Sequence, residues 1–180
     1  MILHQYKIVF GGTMGSGKST AIKTLSEVEV VSTEALNTDL ASHHKLLTTV
    51  GIDYGELTLD DGVKVGLYGT PGQDRFDFIW AVICKGAIGT IIMIDHAAEN
   101  PLLDLDQYIQ AFQPFGNNIV IAITHIDRKP ERTLSIYREW LANRKLNYPL
   151  FFIDARKQDD VLLLVETLIA TIEVHYGLIT

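Results

Sequence analysis

Phe10-Gly11-Gly12-Thr13-Met14-Gly15-Ser16-Gly17-Lys18-Ser19-Thr20 decides the fold of this 180-residue chain. It contains Gly12-x-x-x-x-Gly17-Lys18-Ser19, a full match to the phosphate-binding loop pattern. Tyr6-Lys7-Ile8-Val9-Phe10 before it reads as a buried strand, and Ser19-Thr20-Ala21-Ile22-Lys23-Thr24-Leu25 after it reads as a helix start. Each residue type has a physical reason. Glycines at 12, 15 and 17 let the backbone take positive φ and turn its N–H groups, those of Met14 and Ser16 included, toward phosphate oxygens. The helix that opens at Lys18, Ser19 and Thr20 points its positive end at the same anion. Lys18 is placed to reach the β- and γ-phosphates, and the Ser19 hydroxyl to ligate Mg²⁺. The stretch predicts a site for a nucleoside triphosphate.

The rest of the composition narrows the class. At this length one domain is expected, 1–180, with 47% apolar residues indicating a compact globule. The longest apolar runs are strand-length, so no membrane-spanning helix is expected. Met1-Ile2-Leu3-His4-Gln5 has no basic leader, and neither end carries a lipidation motif, so no intrinsic membrane anchor is expected. The single cysteine, Cys84, lies in an apolar helical stretch and reads as a reduced core residue. A net charge of −7 without a basic cluster argues against nucleic acid as a partner. The cytoplasm is the expected compartment.

Strand and helix patterns alternate after the loop, which predicts an α/β sheet with helices on both faces. The first helix ends near Ser26. A long stretch of weak periodicity follows, with His43, His44 and Lys45, and its length marks a functional loop. Gly51-Ile52-Asp53-Tyr54-Gly55-Glu56-Leu57-Thr58-Leu59 alternates apolar and polar residues. Asp60-Asp61-Gly62 then signals a hairpin into Val63-Lys64-Val65-Gly66-Leu67-Tyr68. Further strands are expected over 90–94, 118–123 and 150–153, and helices over 80–85, 101–112, 131–143 and 159–176. Gly177 is expected as the last C-cap. The fold class is an α/β P-loop NTPase: a mostly parallel six-stranded sheet with one antiparallel strand.

Four later segments fall at strand ends on the edge where open α/β sheets bind ligands. They are Thr48-Thr49-Val50-Gly51-Ile52-Asp53, Gly69-Thr70-Pro71-Gly72-Gln73, Thr124-His125-Ile126-Asp127 and Asp154-Ala155-Arg156. In this order, with the loop, they resemble the Ras-like small GTPases, from Gly12 to Ala155. Within that superfamily the chain resembles the bacterial branch of gliding-motility and conservon-type GTPases.

The resemblance implies a single Ras-like G domain that binds GTP with Mg²⁺ and hydrolyses it to GDP. It gives Thr49, or its neighbour Thr48, the role of the switch I threonine in the metal shell, beside Ser19. Gly72 becomes the γ-phosphate N–H donor of switch II, and Gln73 the residue that orients the attacking water, with Lys18 stabilising phosphoryl charge. Asp127 becomes the acceptor for guanine N1 and N2, Thr124 and His125 flank it, and Asp154-Ala155-Arg156 offers the Ala155 N–H to guanine O6. Three positions depart from the family pattern. Gly69 stands where switch II has a metal-supporting aspartate. Thr124 and His125 replace an Asn and a Lys. Met14 stands where a glycine is usual, which implies slow turnover, comparable to or below roughly 10⁻⁴ s⁻¹. Switch I has no arginine, so acceleration is expected from a GTPase-activating partner, and output through effector proteins that read 32–49 and 69–80. Small roadblock-type proteins are the partners that the bacterial families imply. Asp95 reads as a structural residue after its strand, His43 and His44 as solvated loop residues, and Arg75 as an anchor of switch II. At least one of Phe76, Phe78, Ile79 and Trp80 is expected at the surface. The departures also motivate a second reading, a nucleotide-binding scaffold with negligible hydrolysis. A small-molecule kinase has less support, because no Arg-rich lid follows the central strands.

Overall fold

The computed structural model describes residues 5–33, 51–72 and 77–177. Thr48, Thr49, Gln73, Arg75, Phe76, His43 and His44 lie outside them. The described strands are β1 (Gln5–Gly12), β2 (Val31–Thr33), β3 (Ile52–Thr58), β4 (Lys64–Gly69), β5 (Gly89–Asp95), β6 (Ile119–Thr124) and β7 (Leu150–Phe152). The α-helices are α1 (Lys18–Leu25), α2 (Asp77–Cys84), α3 (Pro101–Phe112), α4 (Ser135–Asn143) and α5 (Gln158–Tyr176). The strands form one sheet in the order β2-β3-β4-β1-β5-β6-β7. Only β3 runs against the rest, pairing antiparallel with both β2 and β4.

The expected class is therefore found, with seven strands in place of six. The added one, β2, is three residues long and too short to show a period. It forms because Val31, Ser32 and Thr33 pair with Tyr54, Asp53 and Ile52 of β3. The hairpin falls where Asp60-Asp61-Gly62 predicts it: Gly62 adopts φ 84°, and its N–H donates to the Leu59 carbonyl at 2.8 Å. Gly177 caps α5 in the left-handed region at φ 63°.

Burial on both faces explains the unbroken apolar runs of the central strands. Ile8, Phe10, Ile91, Met93, Val120 and Ala122 face α1 and α5. Val9, Ile92, Ile94, Ile121 and Ile123 face α2, α3 and α4. Cys84 is buried in that second layer, and burial pushes its thiol up to about 11, so it is an unreactive core residue. The helix expected over 131–143 starts only at Ser135. Residues before it are turned because Arg132 reaches away from the helix: its guanidinium donates to the carbonyls of His96 and Ala98. Two layers around a parallel sheet leave one edge, at the carboxyl ends of β1, β4, β5 and β6, on which all the chemistry-bearing turns converge.

Candidate functional site

The loop between β1 and α1 has the conformation its glycines were expected to permit. Gly12, Gly15 and Gly17 adopt φ of 144°, 82° and 101°, all in the positive region. Gly17 is the N-cap of α1, so the helix N-terminus opens on the loop. Lys18 is buried, 8% exposed, and its Nζ donates to the carbonyls of Gly12 at 2.6 Å and Thr13 at 2.7 Å. Burial lowers its pKa to about 8, against a smaller upward pull from Asp53.

The Thr70-Pro71-Gly72 turn that follows β4 is docked on the loop through backbone. Thr70 donates both N–H and hydroxyl to the Phe10 carbonyl, at 2.9 and 3.1 Å. The Met14 N–H donates to the Gly72 carbonyl at 3.2 Å. A Cβ at Gly72 would lie 2.4 Å from the Met14 nitrogen, so only glycine permits this approach. The Met14 side chain is 72% exposed at the rim. Behind the docked segment, Trp80 is buried with its Nε1–H on the Pro71 carbonyl at 3.4 Å. Phe78 is 68% exposed, the surface aromatic that the crowded sequence demanded.

Two adjoining compartments, of about 490 and 540 Å³, follow the edge. One is lined by Lys18, Ser19, Met14, Gly15, Gly51 and the Thr70-Pro71-Gly72 turn. The other is lined by Asp127, Ile126 and the Asp154-to-Lys157 turn. Gly17, Thr20, His125 and Arg128 border both, so the two form a continuous cleft. Of the candidate site residues, Met14, Gly15, Gly17, Lys18, Ser19, Thr20, Gly72, His125, Asp127, Asp154, Ala155 and Arg156 line this cleft.

The second compartment is held by polar ties. Thr124, 1% exposed, donates its hydroxyl to the Ser16 carbonyl at 2.8 Å and so fastens β6 to the phosphate loop. His125 takes left-handed φ of 54°, and its Nδ1 lies 3.1 Å from Asp95 Oδ1. Asp95 accepts the Ala97 N–H at 2.8 Å, within the turn that follows β5. Arg156 chelates Asp154 through Nε and Nη2 at 2.8 and 2.7 Å, which holds that carboxyl far below the usual carboxylate range. The Asp154 N–H donates to Asp160 at 2.8 Å, and Thr24 donates to the Ala155 carbonyl at 2.8 Å. The turn that carries the Ala155 N–H is thus fixed from α1 and α5. A Thr124→Val variant keeps the shape but leaves the Ser16 carbonyl without this donor. We expect a loss of about 1–2 kcal/mol, read as a lower urea midpoint.

Sequence reasoning missed three members. Arg128 borders both compartments, and its only signal was adjacency to Asp127. Asp53 and Ser32 meet directly behind Ser19: the Asp53 carboxylate accepts from Ser19 through Oδ2 and from Ser32 through Oδ1. Asp53 is 6% exposed. Its signal, a lone acid at a strand start, looks like any solvent-facing residue.

A magnesium ion fits this donor set. Among the described residues no group of three or more His, Cys, Asp or Glu is placed to hold a metal. Mg²⁺ in nucleotide sites asks for less, since phosphate oxygens and water complete its shell around one or two protein oxygens. The Ser19 hydroxyl lines the compartment beside Lys18, with a carboxylate behind it.

No family model matches the chain. Among curated proteins it is 26% identical to Ras-related protein Rab-3C of Mus musculus over 121 residues, covering 64% of this chain and 53% of that one. It is 26% identical to Ras-related protein SEC4 of Saccharomyces cerevisiae over 161 residues, or 86% of this chain and 69% of the relative. An uncharacterised protein of Methanocaldococcus jannaschii is 33% identical over 91 residues, 51% of each chain. The aligned part spans about half the length of Rab-3C and of the archaeal protein. Among the described residues no helix is long and apolar enough to cross a membrane. Fold and sequence point the same way: an α/β P-loop sheet, in a chain similar to Ras-related proteins.

Proposed function

We propose that this chain is a GTP-binding switch, a single Ras-like G domain that hydrolyses GTP slowly to GDP. The observation that carries the reading is the continuous cleft, which joins the glycine loop and Lys18 to Asp127 and the Ala155 turn. A nucleotide laid along it has its phosphates over the α1 N-terminus and its base between His125 and the 154–157 turn. The Asp127 carboxylate accepts from N1–H and N2–H of guanine, groups that adenine lacks. The Ala155 N–H donates to O6, and the His125 imidazole covers the base. Lys18 and the loop N–H groups bind the phosphates, and the tie between Thr124 and Ser16 keeps the base and phosphate subsites in register.

Ser19, with Thr49 and the Asp53 side, would hold Mg²⁺, which supplies charge neutralisation of the β- and γ-oxygens when bound. Gln73 orients water toward the γ-phosphate, and the chain's own contribution is positioning and electrostatics, with no covalent intermediate. Met14 at the rim crowds the approach of a catalytic glutamine, which supports slow turnover. Activation and output fall to protein partners that read 32–49 and 69–80. Phe78 and Val82, 68% and 72% exposed one helical turn apart on α2, border that region. We read the chain as closest in kind to the bacterial gliding-motility and conservon-type branch, acting in the cytoplasm with roadblock-type partners.

Titration with fluorescent mant-GTP and mant-ATP tests the guanine assignment. At least a tenfold preference for GTP is expected, and a tenfold preference for ATP would sink it. One observation favours the second reading, a scaffold without hydrolysis. The Gly72 carbonyl is already engaged by the Met14 N–H, a contact that holds Gly72 on the loop. Single-turnover phosphate release separates the two. Release above buffer background supports the switch, and none, even with excess partner protein, supports the scaffold.

A further inference from the structure

We propose that Asp53, on β3, supplies the metal-supporting carboxylate of this site, from the strand beside the one on which a P-loop nucleotide site commonly carries it. The inference rests on the nucleotide reading above and concerns how the ion is held.

Asp53 and Gly69 are cross-strand partners in the β3–β4 ladder, so their side-chain directions share one face of the sheet. That face is the one beneath α1. A Cβ built at Gly69 lies 3.3 Å from Asp53 Cβ, 3.6 Å from Asp53 Oδ2 and 2.9 Å from the Ile22 methyl. A carboxylate at 69 and one at 53 would therefore compete for the same space. The chain has glycine at one position and aspartate at the other, and the carboxylate that remains accepts the hydroxyl of Ser19. Ser19 is the hydroxyl that the Gly-Lys-Ser pattern places on Mg²⁺.

Electrostatics requires a cation here. Asp53 is 6% exposed, directly behind a compartment whose glycine loop and helix N-terminus are built for an anion. A buried carboxylate next to phosphate oxygens is repulsive unless positive charge lies between them. Lys18 provides one charge. A divalent ion held by Ser19 would add the rest, and Asp53, behind that hydroxyl, would support it through water. This is the outer-shell geometry that a carboxylate behind the ligating hydroxyl can adopt. The Ser32 hydroxyl, on Oδ1, orients the carboxylate from β2. Ser32 is thus a positioning residue.

The test is the release rate of mant-GDP from the full chain, with excess Mg²⁺ against excess EDTA. In the native protein, EDTA is expected to speed release at least tenfold. In Asp53→Asn the ratio should fall below about threefold. The exchange variant Asp53→Gly with Gly69→Asp returns a carboxylate to the same space and should recover most of the ratio. It also carries the test if Asp53→Asn does not fold. A native ratio in Asp53→Asn, or no recovery in a folded exchange variant, overturns the inference while leaving nucleotide binding intact. Failure of the native chain to bind mant-GDP at all would remove the nucleotide reading, and this inference with it.

Discussion

Methionine in place of Lys18 is expected to stabilise the ligand-free protein while weakening mant-GTP binding by about 10³. The two effects share one cause. Folding places the ammonium where it is 8% exposed and lowers its pKa to about 8, from an ordinary 10.5. Each pH unit of such a depression corresponds to ~1.4 kcal/mol, so keeping Lys18 charged at pH 7 costs roughly 3 kcal/mol. The hydrogen bonds to the Gly12 and Thr13 carbonyls return part of that, about 1 kcal/mol each. A methionine of similar reach removes both terms, for a net gain of about 1–2 kcal/mol at pH 7. The affinity falls because the charge-assisted bonds to phosphate vanish from a buried site.

The pH dependence has a definite sign. A lysine with a depressed folded pKa makes the unfolded chain bind the extra proton between pH 8 and 10.5, so stability from this group rises with pH across that window. Its cost is complete below pH 8 and gone above 10.5. The urea midpoint of Lys18→Met should exceed the native one at pH 7, and the gap should close by pH 10. A gap that stays constant would mean that the buried amine is not its source. Phosphate binding restores the charge, so native affinity for mant-GDP should fall about tenfold per pH unit above pH 8.

How far this site was legible in the sequence differs residue by residue. The glycine loop could be read because its chemistry is local: spacing, a preceding strand and a following helix are all within twenty positions. The Asp60-Asp61-Gly62 turn and the Gly177 cap are local in the same sense. Asp53 was not legible, and β3 shows why. Its alternation of apolar and polar residues does not say which side is inward, since Ile52 and Tyr54 fall on one face and Leu57 and Leu59 on the other. In the structure the more buried face carries Asp53, Gly55 and Leu57, because α1 lies over it and Gly55 admits Ser26 there, whose hydroxyl would be 2.7 Å from a Cβ. The other face, with Ile52 and Tyr54, is only half-buried. Period-two patterning fixes which residues share a face, not which face a helix will cover. The late start of α4 has a comparable origin, since Pro130 signals a helix start and the bonds of Arg132 to the β5 turn are tertiary. Thr124 shows the converse case: it departs from the asparagine of the family pattern, yet its single hydroxyl reaches the Ser16 carbonyl.

A methyl group at Gly12 is expected to unfold the nucleotide edge altogether, whereas one at Gly15 should be tolerated. Both glycines adopt positive φ, 144° and 82°, so both alanine variants carry a backbone penalty, about 1 kcal/mol in the left-handed region that Gly15 occupies. Their surroundings separate them. At Gly15 a Cβ meets nothing within 4 Å. At Gly12 it would lie 2.1 Å from the Met93 carbonyl oxygen and 2.9 Å from Ser16 Oγ. Met93 is the β5 partner of Gly12 in the parallel ladder and is itself fully buried, so its carbonyl cannot retreat without breaking β1 from β5. The obstacle is backbone, not the end of a flexible side chain. Overpacking of this kind costs more than the 1–3 kcal/mol typical of an added methyl in a core. Gly12→Ala should therefore lose at least about 4 kcal/mol by urea denaturation, a large share of a typical domain's whole stability. Gly15→Ala should lose about 1 kcal/mol and retain mant-GDP binding within tenfold. Equal losses in the two variants would mean that φ alone governs the loop. A loss confined to Gly12 would locate its rigidity in the seam between β1 and β5, where the glycine-rich turn leaves the sheet.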